Sequence, residues 1–137
     1  TGPLSNRRLV IWEYTDIQDE RFYVSDDYIT LRQTDKNRSF KVGMNNEDGW
    51  CAYLNCGQLF IKRFNFDKNG VYPDYDVNFE TYTNQFIVEI ETLSTLETLK
   101  PNEYVEYEER WELKECEATF NPRSDESIDK FVDEYVF

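Results

Sequence analysis

Short runs of β-branched and aromatic residues, separated by polar turns, make up most of the chain. Residues 9–14, 21–24, 28–33 and 39–44 each read as strands. Ser25-Asp26-Asp27 separates the second from the third, and the polar stretch 45–49 closes the fourth. Residues 50–54 and 58–64 flank Asn55-Cys56-Gly57, which predicts a hairpin. A polar loop over 65–76 carries Asn69-Gly70 and Tyr72-Pro73-Asp74; strands at 77–83, 86–92 and 104–113 follow. In the last of these, Val105, Tyr107, Trp111 and Leu113 alternate with Tyr104, Glu106, Glu108, Arg110 and Glu112. The pattern predicts a half-buried antiparallel strand with one wet face, and Glu109 is the misfit on its apolar side.

Only the C-terminus carries a helical period. Ser124 is a good N-cap, Asp125 and Glu126 suit the positive end of the dipole, and Ile128, Phe131, Val132 and Tyr135 form one stripe. The spacing predicts an amphipathic helix over 124–136 that docks on a sheet. Many strands and one helix predict an all-β fold, an antiparallel β-sandwich with a C-terminal α-helix, over 1–137 as a single domain or half-domain.

Charge changes the picture of partners. Twenty-eight acidic residues against 15 basic ones give a formal net charge of −13. Such a surface repels phosphate backbones and anionic membranes, so neither nucleic acid nor membrane is expected as a partner. The absence of His removes the usual neutral-pH acid–base group. No run approaches the roughly 20 apolar residues of a membrane helix, and 1–8 shows no leader-like apolar core. Cys51, Cys56 and Cys116 have no framework spacing and read as reduced thiols, which fits a cytoplasmic protein. No metal or cofactor is expected; Asp74 and Asp76 lack the glycine and closing glutamate of a calcium loop.

Three features carry candidate chemistry. Period 2 places Glu89 and Glu91 on one strand face, either as neighbouring carboxylates for general acid–base work or as a solvated face. Trp50, Tyr53, Tyr72, Tyr75 and Tyr82 are rings able to stack on sugar C–H faces, with Asp74, Asn78 and Glu80 near in sequence to bond hydroxyls; the alternative is core and rim. Lys62 and Arg63 project to opposite faces of their strand, so one of them, Lys62 in the candidate set, can point at a pocket. The candidate set is thus Glu91 and Glu89 as catalytic residues, with Trp50, Tyr53, Lys62, Tyr72, Asp74, Asn78 and Glu80 as ligand-binding residues.

Several segments in order are familiar: RRLVIW at 7–12, FKVG at 40–43, GWCAYL at 49–54, LFIKRF at 59–64, YPD at 72–74, NFETYTN at 78–84, VEIET at 88–92, and Pro101-Asn102-Glu103 before Trp111. Together they resemble the C-terminal half of galactose mutarotase-like (aldose 1-epimerase-like) proteins, notably an uncharacterised bacterial branch. The resemblance covers roughly residues 1–113. It implies half of a β-supersandwich, a monosaccharide or oligosaccharide ligand, and an isomerase role with Glu91, in its Glu-Thr step, as the base. The family's proton donor is a His in the other half, and this chain has none. The resemblance therefore implies a fragment or split half that is inactive alone and associates with itself or with a complementing N-terminal half. The competing reading is a non-catalytic structural or protein-interaction β-sandwich domain.

Overall fold

The computed structural model describes residues 4–137. In chain order its strands are β1 (Leu9–Ile11), β2 (Phe22–Val24), β3 (Ile29–Leu31), β4 (Phe40–Met44), β5 (Trp50–Asn55), β6 (Gln58–Phe64), β7 (Phe79–Thr83), β8 (Val88–Thr92) and β9 (Glu109–Glu115). Helix α1 (Asp125–Tyr135) follows β9. Every strand pairing among the described residues is antiparallel, so the all-β class with a C-terminal helix is the one the chain adopts.

The chain alternates between two compact units. The first comprises the described residues up to Ile17, with Gln33–Asp48 and Phe66–Glu108. It holds one sheet in the order β1-β4-β7-β8. The register pairs Lys41 with Tyr82, Gly43 with Glu80, Glu80 with Glu91 and Tyr82 with Glu89. Paired residues share a face, so these side chains lie together. The opposite face carries Phe40, Val42, Met44, Phe79, Thr81 and Thr83, all buried. At the β7–β8 turn the Asn84 side chain accepts from the backbone of Phe86 and Ile87.

The second unit comprises Gln18–Arg32, Gly49–Asn65 and Glu109–Phe137. It holds the β2–β3 hairpin and a sheet in the order β5-β6-β9. The β5–β6 turn has Cys56 and Gly57 at φ +50° and +70°, the paired positive angles of a type I′ turn. Leu59 and Ile61 are fully buried and pack with Ile128, Phe131 and Val132 of α1. Ser124 caps that helix, accepting from the Ser127 N–H. A buried ion pair, Arg21 Nη2 to Asp19 Oδ2 at 3.0 Å, belongs to the same unit.

Two expectations change. The strand placed at 104–113 is β9, Glu109–Glu115. The ladder sets its start, because β6 ends at Phe64, opposite Glu109, and 104–108 have no strand across from them. Its apolar residues do not face the core either. Leu59 and Ile61 pair with Lys114 and Glu112, so α1 covers the polar face of β9, leaving Trp111 and Leu113 65% and 63% exposed. The loop at 65–76 contains a turn, Pro73–Asp76, in which Asp74, Tyr75 and Asp76 all have positive φ.

Candidate functional site

β4, β7 and β8 each aim one charged side chain at the same face of the first unit's sheet. Alternation with Phe40, Val42, Phe79 and Thr81, which fill the core, forces Lys41, Glu80 and Glu91 onto the other side. Lys41 Nζ donates to Glu80 Oε2 at 2.7 Å and to Glu91 Oε1 and Oε2 at 3.1 and 3.3 Å. An ammonium has three donors, so one lysine ties both carboxylates. The same nitrogen lies 4.8 Å from the centroid of the Trp12 ring, a cation–π contact. Its backbone is fixed by Thr15, whose hydroxyl accepts from the Lys41 N–H and donates to the Lys41 carbonyl. Burial alone would lower the Lys41 pKa; the bonds to Glu80 and Glu91 outweigh it and hold the amine above its ordinary value.

Glu80 is the buried member, 2% exposed. Its Oε1 meets no N–H donor, and its side chain lies within hydrogen-bond reach of the Asp74 carboxyl. Burial pushes its carboxyl above the usual glutamate value; Lys41 opposes the rise, and the neighbouring Asp74 carboxyl adds to it. Asp74 comes from the left-handed turn, a backbone region that Asp enters more readily than most non-glycine residues. Asp76 anchors that turn, accepting from the Tyr72 N–H at 3.0 Å and pairing with Arg8 at 3.1 Å.

Rings edge the cluster. Tyr14 is half-exposed. Burial raises its hydroxyl pKa, Lys41 opposes, and the charges of Tyr82, Glu89 and Glu91 add to the rise. The Tyr82 hydroxyl bonds Ser39 Oγ at 2.8 Å and accepts from Asn84 Nδ2 at 3.0 Å. Gly43 forms the floor: a Cβ there would meet Val77 Cγ2 at 2.9 Å and Trp12 and Glu80 at 3.5 Å, so glycine lets the indole and the carboxyl close in. The face thus presents rings beside fixed oxygen acceptors and one cation.

Of the residues nominated from sequence, Asp74, Glu80, Glu89 and Glu91 gather here. Tyr72 and Asn78, in the same unit, serve local structure. Tyr72 stacks on Phe66 at 5.6 Å and accepts from the Asp67 N–H, while the Asn78 amide bonds both backbone groups of Asn46. Trp50, Tyr53 and Lys62 belong to the second unit. Trp50 meets Phe137 edge-on at 5.3 Å, and Tyr53 pairs with Phe60. Lys62 is buried, bonds Glu109 at 3.4 Å and lies 5.5 Å from the Trp111 ring, whose Nε1 donates to the same Glu109. The misfit glutamate thus receives both a cation and an indole.

Trp12, Tyr14 and Lys41 escaped the sequence reading. The available signal was a lone lysine between core residues Phe40 and Val42, which alternation turns toward any acidic strand paired nearby. Among the described residues no group of three His, Cys, Asp or Glu is arranged to hold a metal ion, and no helix is long and apolar enough to cross a membrane. No protein-family model, curated protein or solved structure matches the chain.

Proposed function

We propose that the Lys41–Glu80–Glu91 face binds a saccharide, as a carbohydrate-binding domain related to aldose 1-epimerases. The observation that carries this reading is one lysine fixing two carboxylates beside the Trp12 and Tyr14 rings. Sugars combine an apolar C–H face with a rim of hydroxyls. An aromatic ring suits the first, and charge-fixed acceptors suit the second. Preorganised acceptors lose little side-chain entropy on binding, which favours affinity.

The order of sequence segments supports the epimerase relationship, with Glu91 in the base position. The geometry favours binding over proton abstraction, because both Glu91 oxygens already accept from Lys41. Isothermal titration with neutral monosaccharides tests the reading. Millimolar or tighter binding that is lost in Glu91→Ala and Trp12→Ala is expected. Unchanged binding in both variants, or none in the wild type, contradicts it. Optical rotation of a freshly dissolved anomer, followed with and without protein, separates binding from isomerisation.

A further inference from the structure

We propose that β9 is an interface and that its occupant is β9 of a second copy of this chain. The surface lies in the second unit, so the inference stands apart from the saccharide reading. β9 is an edge strand of the β5-β6-β9 sheet. Natural edges are blunted by brevity, a bulge, a proline or charge. β9 keeps seven residues in unbroken register with β6 and contains no proline, which leaves charge. The Cys116 N–H donates to the Gly57 carbonyl, so the even-numbered residues of β9 turn their backbone groups toward β6. Those of Trp111 and Leu113 point to the open edge, and both side chains are exposed.

Two-fold antiparallel pairing sets odd-numbered residues opposite odd ones, and charge then chooses the register. Centred on Glu112, that residue meets itself and Arg110 meets Lys114, like charge on like. Centred on Leu113, Glu112 meets Lys114, a pair each copy already makes within itself at 3.3 Å. Centred on Trp111, Arg110 of each copy meets Glu112 of the other. These are non-hydrogen-bonded pairs, where opposing side chains lie closest. Among the described residues Arg110 has no ion pair within its own chain, while Glu112 is held in place by Arg63 and Lys114. The same register lays one Trp111 ring against the other and covers both. This strand therefore complements itself, which a strand of unrelated sequence does not.

Sedimentation equilibrium of the chain at physiological salt, which screens the net charge of −13 between whole copies, tests the assignment. From low to high micromolar concentration the mass should rise from 16.5 kDa toward twice that value. Leu113→Pro deletes an N–H at the open edge and spares the bonds to β6, so it should stay folded by circular dichroism and remain monomeric. Arg110→Glu and Glu112→Arg should each weaken association about tenfold or more. An equimolar mixture of those two variants should restore it, because every contact between positions 110 and 112 of unlike copies then joins opposite signs. A wild type that stays monomeric overturns the assignment and leaves the edge to a strand of another protein. A dimer that survives in folded Leu113→Pro, or a mixture that associates no better than its components, overturns it as well and places the join elsewhere.

Discussion

Lys41→Met keeps the aliphatic stem and deletes the ammonium, leaving a carboxylate in the core of the candidate site. The Glu80 side chain is 3% exposed and that of Lys41 17%, so their contact is a buried ion pair. Removing one partner of such a pair costs about 3–5 kcal/mol, because the other charge is left uncompensated. The bond to Glu91 adds little, since a third of that side chain meets solvent; about 0–1 kcal/mol is its range. Glu80 can escape by taking a proton, which makes the loss depend on pH. Burial already holds its folded pKa above the unfolded value of 4.5, and deleting Lys41 raises it further. Between those two values the native state binds more protons than the unfolded one, so stability falls as pH rises through the window and stays low above it. Urea unfolding of the variant should therefore show a smaller deficit at pH 5.5 than at pH 8. In the Glu80→Gln background, Lys41→Met should cost less than about 1 kcal/mol. A deficit below about 1 kcal/mol at pH 8, or one equal at both pH values, would refute the account of Lys41 as the cation of a buried pair.

Other expectations follow from local geometry. Cys56 is exposed, whereas burial pushes the Cys51 thiol up to about 12 and Cys116 is buried; a thiol reagent at pH 8 should titrate one cysteine quickly and the other two only after denaturation. Gly49 has φ +71° and a Cβ there would overlap the Phe64 carbonyl oxygen, so Gly49→Ala should lower stability by about 1 kcal/mol or more in chemical denaturation. Ser124→Ala removes the cap on Ser127 and should cost about 1 kcal/mol in the same assay.

The elements legible in the sequence are those with a local cause. The type I′ turn at Cys56-Gly57 has its glycine in place, and α1 has both its cap and its stripe, so their boundaries fall within a residue or two of expectation. β9 was misread because alternation reports that a strand has two unlike faces, not which face a helix covers. Trp111 and Leu113 look like core residues, yet α1 lies over the other side. The site was half legible for a similar reason. Glu89 and Glu91 are two residues apart, so period 2 pairs them. Lys41 meets Glu91 across 50 positions of sequence, a contact set by the β4-β7-β8 order. Alternation and turn geometry set each residue's face and local register, whereas which strands lie side by side is a choice of the whole sheet that no local pattern encodes.

The central claim is that ligand is held on the first unit's sheet, beside Trp12. The chain's three tryptophans divide usefully: Trp12 lies in the first unit, Trp50 and Trp111 in the second. Indole N–H resonances of the labelled protein, followed during titration with a monosaccharide, read all three at once. The account predicts that the Trp12 resonance moves with saturation while Trp50 and Trp111 stay fixed. Movement confined to Trp50 or Trp111, or no movement at any of the three, would contradict it.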